Sequence, residues 1–179
     1  MLIKKVIAEC LAAMGEKDFT DSTERTEQQT ELATRLLGAL NRAYREAVTE
    51  YLPVVEEETV NVTDGVIDVS SLAKNIVYPV SLTADGKTYK LKIYPDKLLS
   101  DYSGRAVLRY AYMPDELAES SELADMRFTL SMLTDGTLAE YYFRERAFDL
   151  AESYDTSFRT ALSVARYRGR ELRLKGGRW

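Results

Sequence analysis

Two prolines, Pro53 and Pro114, bracket a stretch whose hydrophobic period differs from that of the chain on either side. Before Pro53, apolar residues recur at the three- and four-residue steps of a helix face. Leu2, Ile3, Val6, Ile7, Cys10, Leu11 and Met14 form the first such run, and Gly15 follows as its stop. Residues 16–23 are polar and carry cap-type side chains, and a second helix opens within Thr23–Glu27. Its stripe of Leu32, Leu36, Leu37, Leu40, Tyr44, Val48 and Tyr51 ends at Leu52-Pro53, since the residue before a proline disfavours helix.

Between the prolines the period falls to two, the mark of strands. Val54 to Val62 and Val66 to Val69 are extended, joined by a Thr63-Asp64-Gly65 turn. Ser70 to Lys74 forms one short helical turn. Ile76 to Thr83 is a strand in which Pro79 requires an edge or a bulge. A turn at Ala84–Lys87 leads into Lys87 to Tyr94, where Tyr89, Leu91 and Ile93 alternate with Lys90 and Lys92. A loop containing Pro95 precedes a last strand, Arg105 to Met113, with Leu108, Tyr110 and Tyr112 on one face. Four or five strands are expected in all.

After Pro114 the acidic stretch Asp115–Asp125 reads as a loop or fraying helix with solvated carboxylates. Helical spacing returns from Met126. Phe128, Met132, Leu133, Tyr141, Tyr142 and Phe143 belong to one segment, with a bend allowed at Asp135-Gly136. Ala147, Ala151, Tyr154, Phe158, Ala161, Leu162 and Ala165 form a further stripe. Whether these are one helix or two, broken near Arg144–Arg146, the spacing leaves open. The expected fold class is α+β, mainly α. A bundle of N- and C-terminal helices carries a small antiparallel β insert and an extended C-terminal tail. The corresponding segments are 1–52, 53–114, 115–165 and 166–179.

Composition limits the chemistry. The chain has 179 residues, no histidine and one cysteine. Without histidine, Ser-His-Asp and Cys-His catalysis and imidazole switching are excluded. At this length roughly 70% of the unfolded surface can be buried, so no disulfide is needed, and a single cysteine suits a reducing compartment. Cys10 lies in an apolar helical run and reads as a buried small side chain. The run after Met1 is too short for a bilayer and is broken by Lys4, Lys5 and Glu9, so a helix of a cytoplasmic protein is expected. Glu56-Glu57-Glu58 cannot converge in a strand, because neighbours point to opposite faces. It reads as a charged edge that blocks unwanted pairing. The sequence contains no phosphate-loop, dinucleotide-binding or nucleophile-elbow motif. No catalytic residue, metal or cofactor is expected, and an enzyme working through carboxylates is the least favoured class.

The last fourteen residues invert the charge. Arg166, Arg168, Arg170, Arg173, Lys175 and Arg178 face the lone acid Glu171, and Trp179 is the only tryptophan. The segment's +5 leaves −10 on the other 165 residues of a chain whose total is −5. Arg and Trp side chains are the usual anchors of protein interfaces, and a tail can order on binding. Leu172 and Leu174 alternate with Arg173 and Lys175, which suits either an added strand or a helix end. A nucleic-acid arm is the rival reading. It would show a salt slope of about −5, but the acidic remainder would repel DNA at longer range.

The order of these features resembles the head–tail adaptor (connector) proteins of tailed bacteriophages, over nearly the whole chain. The residues are Tyr51-Leu52-Pro53-Val54-Val55 after the long helix, then the Thr63-Asp64-Gly65 turn. Arg109-Tyr110-Ala111-Tyr112-Met113-Pro114 is similar to a Y-x-Y-x-P strand end, and Gly136-Thr137-Leu138-Ala139-Glu140-Tyr141 to a G-x-x-A-E-Y helix. The tail closes on Arg178-Trp179. The chain departs from the common pattern at Arg144-Glu145-Arg146, where such proteins often have a glycine break. The resemblance implies a structural virion protein at the head–tail junction, assembled in the host cytoplasm. It further implies a ring, usually of twelve copies, between the portal and a tail or stopper protein, with DNA passing through its lumen without specific binding. The docking residues would be Tyr167, Arg168, Arg170, Leu172, Arg173, Leu174, Arg178 and Trp179. Another completion protein of the stopper type, or a small nucleic-acid-binding regulator, is the alternative.

Overall fold

A computed structural model describes residues 1–17 and 25–168. The chain divides into two compact units: Met1–Leu52 with the chain from Glu116 onward, and Pro53–Asp115.

The first unit is helical. Helix α1 is Ile3–Ala13, α2 Glu27–Glu46, α3 Leu130–Arg144 and α4 Phe148–Arg168. Thr26 opens α2 with a capping box: its hydroxyl accepts from the Gln29 N–H, and the Gln29 side chain accepts from the Thr26 N–H. That satisfies two of the donors every helix start leaves free. Beyond Glu46, α2 widens into a π-helical turn, Ala47–Tyr51, and stops at Leu52 before Pro53. Helix α3 is the centre of the unit and packs against α1, α2 and α4. Met132, Leu133, Thr134, Gly136, Thr137, Leu138 and Ala139 are all buried, so the helix has no polar stripe. Around it lie Ile3, Ile7, Leu11, Leu36, Leu40, Phe158 and Leu162, each almost fully enclosed.

The break between α3 and α4 falls at Glu145–Ala147, with Arg146 in the left-handed region at φ 61°. Asp135-Gly136, read as a possible bend, lies within α3 instead. Gly136 is there for space. A Cβ at this position would stand 2.8–2.9 Å from the Phe158 ring, closer than carbon atoms tolerate.

Residues 115–129 hold no helix but a strap across α1 and α2. Ile3 N–H donates to the Ser121 carbonyl, Leu123 N–H to the Met1 carbonyl, and the terminal amine of Met1 to the Leu123 carbonyl. Asn41 grips the strap at Leu117 in both directions, donating to its carbonyl at 2.9 Å and accepting its N–H at 2.7 Å. The carboxylates expected to be merely solvated are mostly paired. Glu119 takes a bidentate contact from Arg25 at 2.8 and 3.0 Å, Glu116 pairs with Arg45, and Asp125 with Arg127. Burial opposes ionisation of Asp125, but hydrogen bonds from the Arg127 guanidinium and backbone N–H outweigh it and hold its pKa below the usual range.

The second unit contains seven strands: β1 Val55–Val62, β2 Val66–Asp68, β3 Ile76–Ala84, β4 Lys87–Tyr89, β5 Leu91–Ile93, β6 Lys97–Ser100 and β7 Gly104–Tyr112. They form two antiparallel sheets, ordered β1-β7-β3-β4 and β2-β6-β5. The expectation of a mainly helical chain with a small β insert is thereby corrected. The protein is a mixed α+β structure, 46% helical and 26% strand. The stretch Lys87–Tyr94 alternates as one strand but divides at Lys90, β4 pairing with β3 and β5 with β6. Strand β6 occupies what reads as loop. Strand β7, the last in the chain, lies inside its sheet between β1 and β3, and β1 is an edge.

Pro79 sits in β3 between register shifts at Ile76/Tyr78 and Pro79/Ser81. The partner β4 reaches only Leu82–Ala84, so the missing N–H of Pro79 breaks no ladder on that side. The core of this unit is Val60, Val62, Ile67, Leu82, Leu98, Leu108 and Tyr110. Tyr110 is fully enclosed, and its hydroxyl donates to Glu58 at 2.8 Å. Glu58 also accepts the Ala73 N–H, so the acidic run divides between an exposed Glu57 and a half-buried Glu58 with two partners.

At the Asp64-Gly65 turn both residues have positive φ, 50° and 76°, as a two-residue hairpin turn requires. Gly65 also accepts the Ser100 N–H at 2.8 Å, and a Cβ on it would come within 2.5 Å of the Ser100 carbonyl oxygen. Gly65→Ala is expected to destabilise this unit by about 2 kcal/mol, left-handed strain and backbone clash adding together. Gly86→Ala shares the positive φ but meets nothing within 4 Å, and should cost about half as much. Urea denaturation of both variants measures the difference, and equal losses would remove the clash from the explanation.

Candidate docking surfaces

The expected docking residues begin at the end of α4. Tyr167 lies in its last described turn with 69% of its surface exposed, and Arg168 is its final residue. Arg166, Tyr167 and Arg168 are therefore helical, not part of an extended tail. Arg170, Leu172, Arg173, Leu174, Arg178 and Trp179 lie outside the described residues.

The helix that carries them is held firmly. Arg159 donates to Asp155 at 2.8 and 3.0 Å, pairs with Glu46 at 2.8 Å and donates to the Tyr51 hydroxyl at 3.2 Å. The Asp155 hydrogen bonds, against a smaller cost of burial, raise the Arg159 pKa above its ordinary value. Burial raises the pKa of Glu46, with Arg159 pulling the other way. Tyr154 stacks on Tyr142 of α3 with ring centres 5.8 Å apart and planes 12° from parallel. The end of α4 is thus presented on a fixed support.

Three apolar surfaces lack a partner among the described residues. A groove of about 440 Å³ between α3 and α4 is lined by Ala139, Ala151, Phe143 and Phe148 together with Glu140, Glu152, Asp155 and Arg159, with Glu140 paired to Arg42 and Asp155 to Arg159. Phe143 and Phe148 are 62% and 57% exposed, and their rings meet edge to face at 5.8 Å. A second groove, about 600 Å³, lies between Met126, Met132, Ala161 and Ala165. In the β unit, Tyr78, Pro79, Ile93, Tyr94 and Pro95 line a third, of about 390 Å³.

None of these surfaces is legible in the hydrophobic spacing. The available signal was Tyr141-Tyr142-Phe143, because three consecutive helical residues cannot face one core. Phe143 points away from it. Phe148 opens α4 beside the break and carries no periodic mark.

Cys10 is fully enclosed by the helical unit. Burial pushes its thiol pKa up to about 12, against a lowering hydrogen bond with Thr137. A thiol in that state is protonated and inert near neutral pH. Among the described residues no group of three or more Cys, Asp or Glu is placed to hold a metal ion. Nor, among them, is any helix long and apolar enough to cross a membrane. No protein-family model matches this sequence, and no curated protein matches it.

Proposed function

We propose that this chain is a head–tail adaptor of the tailed-bacteriophage type. Copies associate into a ring between the capsid portal and the tail, and the segment leaving α4 anchors each copy to that assembly. The mechanism is binding, not catalysis. The observation that carries the reading is the mounting of the basic, Trp-bearing segment. It continues from a helix locked by Arg159, with an exposed Tyr167 in the last described turn. A rigid helix followed by Arg, Leu and Trp anchors is suited to docking, because little of the mount must be ordered on binding.

The charge distribution supports a conduit. A body carrying −10 outside the basic segment would not retain a passing polyanion. A ring whose lumen is lined by Lys and Arg would contradict this part. A stopper-type completion protein and a small nucleic-acid-binding regulator share the same raw features, and partner choice separates them. Sedimentation with purified portal rings should carry this chain into the ring fraction. Salt-sensitive binding to duplex DNA with no portal association would point to the regulator, and association with tail components alone to the stopper.

A further inference from the structure

We infer that the groove lined by Met126, Met132, Ala161 and Ala165 seats residues 169–179 of the same chain, so that a free copy covers its own docking segment. The seating does not depend on the adaptor reading, and its test contains no portal, so the two can fail separately.

The lining asks for an apolar occupant. Ala124, Met126 and Met132 share with Ala161 and Ala165 of α4 a space of about 600 Å³, the largest of the three grooves. Met126 is 94% exposed, a large apolar side chain left in water. The two charged members of the lining, Asp125 and Arg127, are paired with each other at 2.6 Å. Residues 169–179 supply Leu172, Leu174 and Trp179. Methionine adapts its flexible thioether to whatever fills the space, and sulfur against an aromatic ring is a favourable contact. Trp179 offers the largest apolar area in the segment.

Position commits the groove to the chain's own segment. Ala161 and Ala165 are one turn apart on one face of α4. Arg168, the last residue of that helix, is three residues past Ala165, about 4.5 Å at the helical rise. The chain therefore leaves α4 beside the groove. Gly169 comes next, the residue that turns a chain back at a helix end without strain. Leu172 lies four residues past Arg168 and reaches at most about 13–14 Å. Ala161 lies seven before it, about 10 Å of helix, so Leu172 and Leu174 can lie along the alanines while Trp179 still has slack. The α3–α4 groove is a poorer seat. Its nearest lining residue on α4, Arg159, is about 14 Å of helix before Arg168, and four of its eight lining residues are charged. A second copy competes at a disadvantage, since a short flexible tether supplies an effective concentration of order millimolar. On the adaptor reading the contact is autoinhibitory: a seated segment is withheld from the portal until the portal outcompetes the groove.

Trp179 is the only tryptophan of the chain, so its fluorescence reports the seat directly. In the full chain, acrylamide should quench Trp179 several-fold less than in urea, with the emission shifted to the blue. That protection should persist through a roughly hundredfold dilution toward micromolar protein, as a tethered contact requires. Met126→Lys should remove most of it, because it sets a cation in the apolar seat of a basic segment. Ala165→Lys, on the other side of the groove, should do the same, and circular dichroism checks that both variants keep their helices. Benzoylphenylalanine in place of Met126, in mixed nitrogen-15 and nitrogen-14 copies, should on irradiation cross-link to residues 169–179 within one isotope. Trp179 quenched as freely as in urea, or protected equally in both variants, would overturn the inference. Protection lost on dilution, or mixed-isotope cross-links, would overturn it too by assigning the groove to a second copy.

Discussion

Phe158→Ala should cost the helical unit about 3–5 kcal/mol, the range for deleting a fully enclosed aromatic ring. Phe158 is 1% exposed, and its ring lies against Gly136 of the central helix. The surrounding α3 backbone cannot close the void, because α1 and α2 hold α3 from its other sides. Gly136→Ala alone should also destabilise, by about 1–3 kcal/mol, since its Cβ would overlap three atoms of the ring. In the double variant the new methyl enters space that the ring has left. The combined loss should therefore be smaller than the sum of the two by about 1 kcal/mol or more. Urea unfolding followed by far-ultraviolet circular dichroism measures the cycle. Additivity would show that Gly136 is a helix weakness rather than a packing requirement.

Removing Gly169–Trp179 should leave the fold in place and abolish attachment to the portal. The cut falls beyond α4, whose Arg166–Arg168 turn is helical and must be spared. No described hydrogen bond or core residue is lost with it, so helix content and unfolding midpoint should stay close to those of the full chain. Binding should fall at least about a thousandfold, which corresponds to about 4 kcal/mol. That loss is what two buried anchors of the Arg or Trp kind supply in an ordinary interface. Trp179→Ala alone should account for a large part of it. Replacing Arg170, Arg173 and Arg178 by Lys should weaken binding less than replacing them by Ala, because Lys keeps the charge and loses the bidentate geometry. Sedimentation with portal rings reads each variant. Full attachment by the truncated chain would remove the segment from the docking surface.

How much of this is legible in the sequence depends on how each element is buried. Helix α2 shows its stripe because one face is covered and the other wet. Pro53 and Pro114 mark the limits of the strand-forming stretch because proline acts locally, through its own ring. Helix α3 is obscure for the opposite reason: with neighbours on several sides, its apolar residues follow no single face. The sheets were underestimated because β4, β5 and β6 are three or four residues long. Alternation at Lys87–Tyr94 reports a pleated chain and says nothing about which partner each half pairs with.

Glu116, Glu119 and Glu122 looked solvated because their partners, Arg45, Arg25 and the Met1 amine, are far away in sequence. Glu58 was hidden in a run whose central member, Glu57, does face solvent. At the candidate site, the basic segment is visible as composition alone. The Phe143–Phe148 groove is not, since it exists only once α3 and α4 are folded back on each other through the left-handed Arg146.

The most direct measurement of the proposed adaptor role is electron microscopy of this protein mixed with phage portal rings. The account predicts a second ring of density stacked on the portal, built from copies of this chain, with the segment beyond Arg168 in contact with the portal or a neighbouring copy. Bare portal rings beside monomeric protein, with that segment touching nothing, would contradict it.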